Sequence, residues 1–130
     1  ALAADGERLF VRRAAAVGGT VRLGTVALRA SRGTLSWVRR RSAGAFDADG
    51  GFHERVALPD PVVAGDTLLV GRAVDRASRG PDGGVLRGLS TRTGEERWRV
   101  DARVAPASLA VAGGRIFVGG VRGGLAAYAR

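Results

Sequence analysis

Short runs of large apolar residues recur along the chain, and each is bounded by glycine, aspartate or proline. Runs of this kind are typical of β-strands, whereas no segment longer than about ten residues keeps a helical period without a glycine. The clearest runs are 8–11, 25–28, 67–70, 85–89 and 115–118. Turn signals lie between them at 5–6, 17–19, 49–51, 64–66, 81–84 and 113–114. The pattern therefore predicts an all-β chain.

The chain also repeats itself. Segments 2–11, 62–70 and 109–118 each read as a strand, a tight turn containing glycine and a second apolar strand. The turn glycines are Gly6, Gly65 and Gly113. Glycine supplies the positive φ that a two-residue hairpin needs, so each segment predicts a β-hairpin.

A second unit follows each hairpin, and it ends on an aromatic residue. Segments 27–37 and 88–98 align, each with a glycine four residues before its tryptophan, and a third copy begins at 124–128. Two hairpins make one four-stranded antiparallel sheet, which cannot cover both of its own faces and must stack on its neighbours. Radial stacking of such sheets gives the blades of a β-propeller.

The repeat spacing predicts one partial propeller domain. We place a first blade at about 1–40, an inserted connection at 41–60, a second blade at about 61–100 and an incomplete third blade at about 104–130. A ring of at least four blades needs more chain, at roughly 40–45 residues each. The stop at 128–130 resembles the place where such chains end, so we expect a C-terminal piece of a longer protein, with the remaining blades as partners or with self-association through open edge strands. Light scattering of the chain tests this expectation, because a monodisperse and cooperatively melting monomer would count against it.

The second unit resembles the quinoprotein-type (PQQ-like) β-propeller repeat family, whose signature is Ala-x-Asp-x-x-Thr-Gly-Lys-x-x-Trp. The matching positions are Ala27, Gly33 and Trp37 in the first copy, Thr93, Gly94 and Trp98 in the second, and Ala127 in the third. The signature's Asp is replaced by Arg29, Ser90 and Ala129, and its Lys by Thr34 and Glu95. The resemblance implies that the two tryptophans are structural and dock each blade onto the next.

The resemblance also bears on cofactors, activity and location. Catalytic members hold quinone and calcium with Glu, Asn and Asp, and many use adjacent cysteines, whereas this chain has no Asn and no Cys. Neither PQQ nor calcium is therefore expected here, and the leading interpretation is a non-catalytic binding or scaffolding module. It would belong to a larger bacterial protein of the periplasm, cell envelope or extracellular space. The alternatives are the propeller portion of a PQQ-dependent dehydrogenase with its active site in other blades, and the sensor domain of a bacterial serine/threonine kinase.

The net charge of +9 comes from 21 arginines and no lysine. A very GC-rich coding sequence produces this bias, and single-strand nucleic-acid binders need aromatic stacking platforms, which this chain lacks. We therefore expect a protein partner rather than nucleic acid. No apolar run approaches the roughly 18 residues of a membrane-spanning helix.

Three local patterns carry no chemistry on this interpretation. His53 is the only histidine and is expected on an exposed strand or loop, because one histidine without cysteine cannot supply a metal set. Residues 47–51 lack the later oxygen ligands of a calcium loop and predict a turn. The glycine-rich segment 119–124 lacks the Lys-Ser/Thr of a phosphate loop and predicts a connection between strands.

Two stretches are longer in one repeat than in the next, at 38–61 and 71–84. Extra length in repeat proteins usually forms loops on one face, which is often the binding face, although neutral variation gives the same pattern. The hypothesis is a basic rim that contacts an acidic partner, formed by Arg39, Arg40, Arg41, Arg72, Arg76 and Arg79.

Overall fold

β-strands account for all the regular secondary structure in the residues that the computed structural model describes, which are 2–17, 20–45, 54–57, 59–76, 80–120 and 123–129. In chain order the strands are β1 (Leu2–Ala4), β2 (Arg8–Val17), β3 (Thr20–Arg29), β4 (Leu35–Ala45), β5 (Glu54–Ala57), β6 (Val62–Ala64), β7 (Thr67–Arg76), β8 (Gly80–Ser90), β9 (Glu96–Ala102), β10 (Pro106–Ala112), β11 (Arg115–Gly120) and β12 (Leu125–Ala129). The all-β prediction is confirmed. No helix in the described ranges is long and apolar enough to cross a membrane.

The strands form three antiparallel sheets. The first has the order β1-β2-β3-β4, the second β5-β7-β8-β9 with β6 also paired to β7, and the third β10-β11-β12. The glycines of the repeated turns have positive φ, as tight reversals require: Gly6, Gly33, Gly65, Gly94 and Gly113. The repeated hairpins of the sequence therefore become the repeated hairpins of the sheets.

One predicted turn is wrong. Residues 81–84 lie inside β8, because the β7–β8 hairpin continues as far as the pair Arg76↔Gly80. The backbone hydrogen bonds of this long hairpin outweigh the turn preference of proline and glycine. Pro81 pairs with Asp75 of β7, whereas β9 pairs with β8 only as far as Gly84, so Pro81 lies where β8 has a partner strand on one side only. The extra length at 71–84 is thus largely strand, as is part of 41–60, which holds the end of β4 and all of β5.

The sheets stack like blades. Neighbouring sheets contact each other through short strands, since β1 contacts β6 and β6 contacts β10. Alternate residues of β7 point to opposite faces, so Leu68 joins one core and Leu69 the other. The core between the first and second sheets contains Phe10, Ala27, Trp37, Leu68, Val70 and Leu89. The core towards the third sheet contains Ala64, Leu69, Leu86, Ile116 and Val118. The fold is a partial β-propeller of antiparallel blades.

Candidate functional site

Trp37 joins the first sheet to the second. Its side chain is 8% exposed, and its indole Nε1 donates a hydrogen bond to the backbone oxygen of Thr91 at 2.9 Å. Its ring lies 5.9 Å from that of Phe10, centroid to centroid. A buried indole N–H needs such an acceptor, so the hydrogen bond fixes where the tryptophan sits on the neighbouring sheet.

The turn under Trp37 has room only for glycine. Gly94 has φ +74°, and a Cβ added there would lie 2.5 Å from Cε3 of Trp37. Thr93, beside it, is exposed and accepts a hydrogen bond from the N–H of Glu95 at 3.2 Å. The second-copy tryptophan, Trp98, is only partly buried and packs on Gly88 of its own sheet. The two tryptophans therefore have different surroundings.

Trp98 borders an apolar cleft of about 310 Å³ between the second and third sheets, with Val100, Ile116, Tyr128 and Ala129. Ala127, the third-copy match to the repeat signature, is exposed on β12. The described part of the third sheet ends with this strand.

Arginines continue the face that carries the first core. Cross-strand pairing aligns Phe10, Ala27 and Trp37 in one row of the first sheet. One period further along the strands, the same face carries Arg12, Thr25 and Arg39, which pair in the same way. The apolar junction of the two sheets is therefore followed by a polar layer.

The second sheet completes this layer. Arg87 lies opposite Val70 on the paired strand, and Arg72 follows Val70 by two residues. Since side chains alternate along a strand, these arginines share the face of Val70 and Leu89, which belong to the first core. We call Arg12, Thr25, Arg39, Arg72 and Arg87 the arginine layer, and Arg40, which follows Arg39 on β4, borders its cavity.

A cavity of about 80 Å³ lies in the arginine layer, lined by Arg12, Thr25, Arg39, Arg40, Val70, Arg87 and Leu89. Arg12, Thr25, Val70 and Leu89 are buried and form its inner wall. Arg39 and Arg40 are exposed and form its mouth, while the exposure of Arg87 is intermediate. The cavity therefore opens to solvent between arginines and closes on apolar side chains.

Arg12 is the innermost charge of the layer. It is 8% exposed, and its Nη1 donates to the backbone oxygen of Gly71 at 2.6 Å. Its Nε has no hydrogen-bond partner among the described residues. Burial, together with repulsion by Arg87 and Arg72, lowers the pKa of Arg12 from 12.5 to about 10. The side chain still carries its proton at neutral pH, so the fold holds a buried cation.

The opposite end of the same junction is also basic, and two of its arginines pair with carboxylates. Arg8 Nη1 lies 3.9 Å from an Asp5 oxygen and 3.4 Å from a Glu7 oxygen. Arg97 Nη1 lies 2.8 Å from an Asp66 oxygen, and this contact lowers the pKa of Asp66. Within the arginine layer, Arg87 Nε lies 3.4 Å from Glu96 Oε1. The described lining of the cavity itself contains arginines and no acidic residue.

The structure brings together part of the predicted rim. Arg39 and Arg40 line the cavity, and Arg72 lies close enough to lower the pKa of Arg12. The side chains of Arg41 and Arg76, and the whole of Arg79, lie outside the described residues, as do His53 and 47–51. No group of three or more His, Asp or Glu in the described ranges could hold a metal ion.

Sequence reasoning missed Arg12 and Arg87. Each lies two positions from an apolar core residue on the same strand, Phe10 and Leu89 respectively. The two-residue period of a strand places them on the inward face, and this signal was present in the sequence. The pairing of the two sheets, which brings them to one cavity, was not.

Comparison with known proteins gives little similarity in sequence. No family model matches the chain, and no curated protein matches it. Among solved structures the chain is similar to BamB from Moraxella catarrhalis, with 18% identity and a TM-score of 0.38. The match covers 85% of this chain and 46% of the BamB chain, so the chain spans less than half the length of that protein.

Proposed function

We propose that this chain is a non-catalytic binding module that holds an acidic segment of a partner protein on the arginine layer. The observation that carries the proposal is the convergence of arginines from both sheets on one cavity at the junction. Arginine presents a planar fork of donors that matches the two oxygens of a carboxylate. An acidic protein segment is therefore the partner whose chemistry fits this surface.

Charge supports the same proposal at longer range. The net charge of +9 attracts an acidic partner before contact, and such steering raises association rates most at low salt. Arg39 and Arg40 are exposed, so they meet the partner without any rearrangement of the sheets. The expected complex is consequently salt-sensitive.

Nucleic acid fits less well than an acidic protein segment. Single-strand binders stack bases on accessible aromatic rings along a basic groove. The described aromatic rings of this junction, Phe10 and Trp37, are buried in the core beneath the arginine layer and are closed to bases.

We also propose, from the repeat resemblance, that the module belongs to a larger bacterial envelope protein in which the remaining blades complete the ring. Its scaffolding role would then be to present the arginine layer to an acidic partner. No reaction and no bound PQQ or calcium are part of this proposal.

Binding of an oligoglutamate peptide tests the proposed function. We expect the double substitution Arg39→Gln and Arg40→Gln to weaken binding about tenfold or more, because each removes a donor fork from the mouth. The matched control is Arg32→Gln with Arg115→Gln, which removes the same charge from two exposed positions that do not line the cavity. Isothermal titration calorimetry of the full chain measures both.

Two results would count against the proposal. An equal loss of affinity in the two double variants would mean that the peptide responds only to the net charge of the chain. A matched oligoglutamine peptide that bound as tightly as oligoglutamate would mean that the carboxylates are not recognised.

A further inference from the structure

Arg12 is a buried cation at the inner wall of the cavity. A guanidinium carries five N–H donors, and the Gly71 oxygen accepts one of them. The Nε donor has no partner among the described residues and is itself closed to solvent, whereas the residue as a whole is 8% exposed and borders the cavity. A buried cation is costly, so an anion that reaches the guanidinium from the cavity gains charge compensation.

The cavity above Arg12 has the size of a single small group. Its volume is about 80 Å³, and one water occupies roughly 30 Å³ in the liquid. A carboxylate fits that space. The exposed Arg39 and Arg40 at the mouth would remain in contact with the rest of the segment outside.

The wall opposite the mouth strengthens attraction to an anion. Val70 and Leu89 belong to the apolar core, where the effective dielectric constant is lower than in water. Arg87 borders the cavity beside them and also lies 3.4 Å from Glu96. The anion would thus sit between cationic side chains and an apolar base, instead of in bulk solvent.

We infer that the cavity is a carboxylate pocket, in which Arg12 receives one Asp, Glu or C-terminal carboxylate of the partner while Arg39 and Arg40 hold its acidic neighbours. The inference rests on the proposed function and assigns one anchoring group within it. The anchored carboxylate would accept from the Arg12 guanidinium where it borders the cavity. One deeply held carboxylate would set the register of the acidic segment on the module.

The test compares Arg12 with an arginine far from the cavity. Acetate serves as the isolated carboxylate, oligoglutamate as the segment and inorganic phosphate as the competing oxyanion. We expect Arg12→Met to weaken acetate and oligoglutamate binding about tenfold or more, and Arg115→Gln to change them less than about twofold. Arg12→Lys keeps the charge but loses the fork, so it should weaken binding to an intermediate extent and serves alone if Arg12→Met does not fold.

Each other result has a distinct meaning. If oligoglutamate binding is lost in the Arg39 and Arg40 double variant but unchanged in both Arg12 variants, the pocket is wrong and the proposed function stands. If neither site matters, both are wrong. If phosphate displaces oligoglutamate and acetate does not, the carboxylate assignment is overturned in favour of a phosphate pocket.

Discussion

Trp37→Ala is expected to lower the free energy of unfolding by about 3 to 5 kcal/mol, the usual range for removing a large aromatic residue from a core. The substitution empties the centre of the first core and leaves the Thr91 carbonyl without the indole donor. It should also separate the first sheet from the second, because Trp37 bridges them. Urea unfolding of the full chain, followed by circular dichroism, measures the loss.

Trp98→Ala is the matched control for this prediction. Trp98 occupies the equivalent position of the next repeat but is only partly buried, and it packs on Gly88 of its own sheet and against the core towards the third sheet. We expect its loss to cost about half as much or less, because less apolar surface is buried and a smaller cavity forms. Equal losses at the two positions would contradict a docking role specific to Trp37.

Gly94→Ala is expected to cost about 3 kcal/mol by two additive effects. A left-handed φ of +74° costs an alanine about 1 to 2 kcal/mol, and overpacking against a rigid ring adds about 1 to 3 kcal/mol. The added Cβ would meet the Trp37 ring at 2.5 Å, so either the turn or the ring has to move. Urea unfolding again gives the magnitude.

Gly33→Ala separates the two effects. Gly33 has φ +66° in the corresponding turn of the first sheet, but an added Cβ would meet no atom within 4 Å. It should therefore show only the conformational cost. In a Trp37→Ala background the cost of Gly94→Ala should fall to the Gly33→Ala value, since the clashing ring is gone. If the cost stayed unchanged in that background, the close contact between ring and turn would be wrong.

The repeats show which parts of the fold the sequence pattern predicts. The strand-glycine-strand pattern located hairpins correctly around Gly6, Gly65 and Gly113, because both the apolar period and the glycine conformation are local properties. The turn predicted at 81–84 failed because pairing with the far end of β7 outweighs local turn preference. The local apolar pattern therefore predicts that β7 and β8 exist, but it does not predict how far their pairing extends.

Only part of the candidate site could be predicted from the sequence. Arg39 and Arg40 stood out as a charge run, and they line the cavity mouth. Arg12 and Arg87 were lost among many dispersed arginines, because charge alone does not reveal an inward-facing position. Their convergence depends on which faces of two sheets pack together, a long-range property that no single strand encodes. The docking of Trp37 sets that packing, and Arg39 follows it by one strand period on the same face.

The most direct measurement of the central claim is the NMR signal of the arginine Nε–Hε groups in the uniformly ¹⁵N-labelled chain during titration with oligoglutamate. We predict that the Arg12 signal moves and saturates with the affinity measured by calorimetry, because a carboxylate bound to the guanidinium changes the environment of its Nε–Hε group. The Arg115 signal should stay in place. Movement of the exposed arginine signals with no change at Arg12 would contradict the carboxylate pocket.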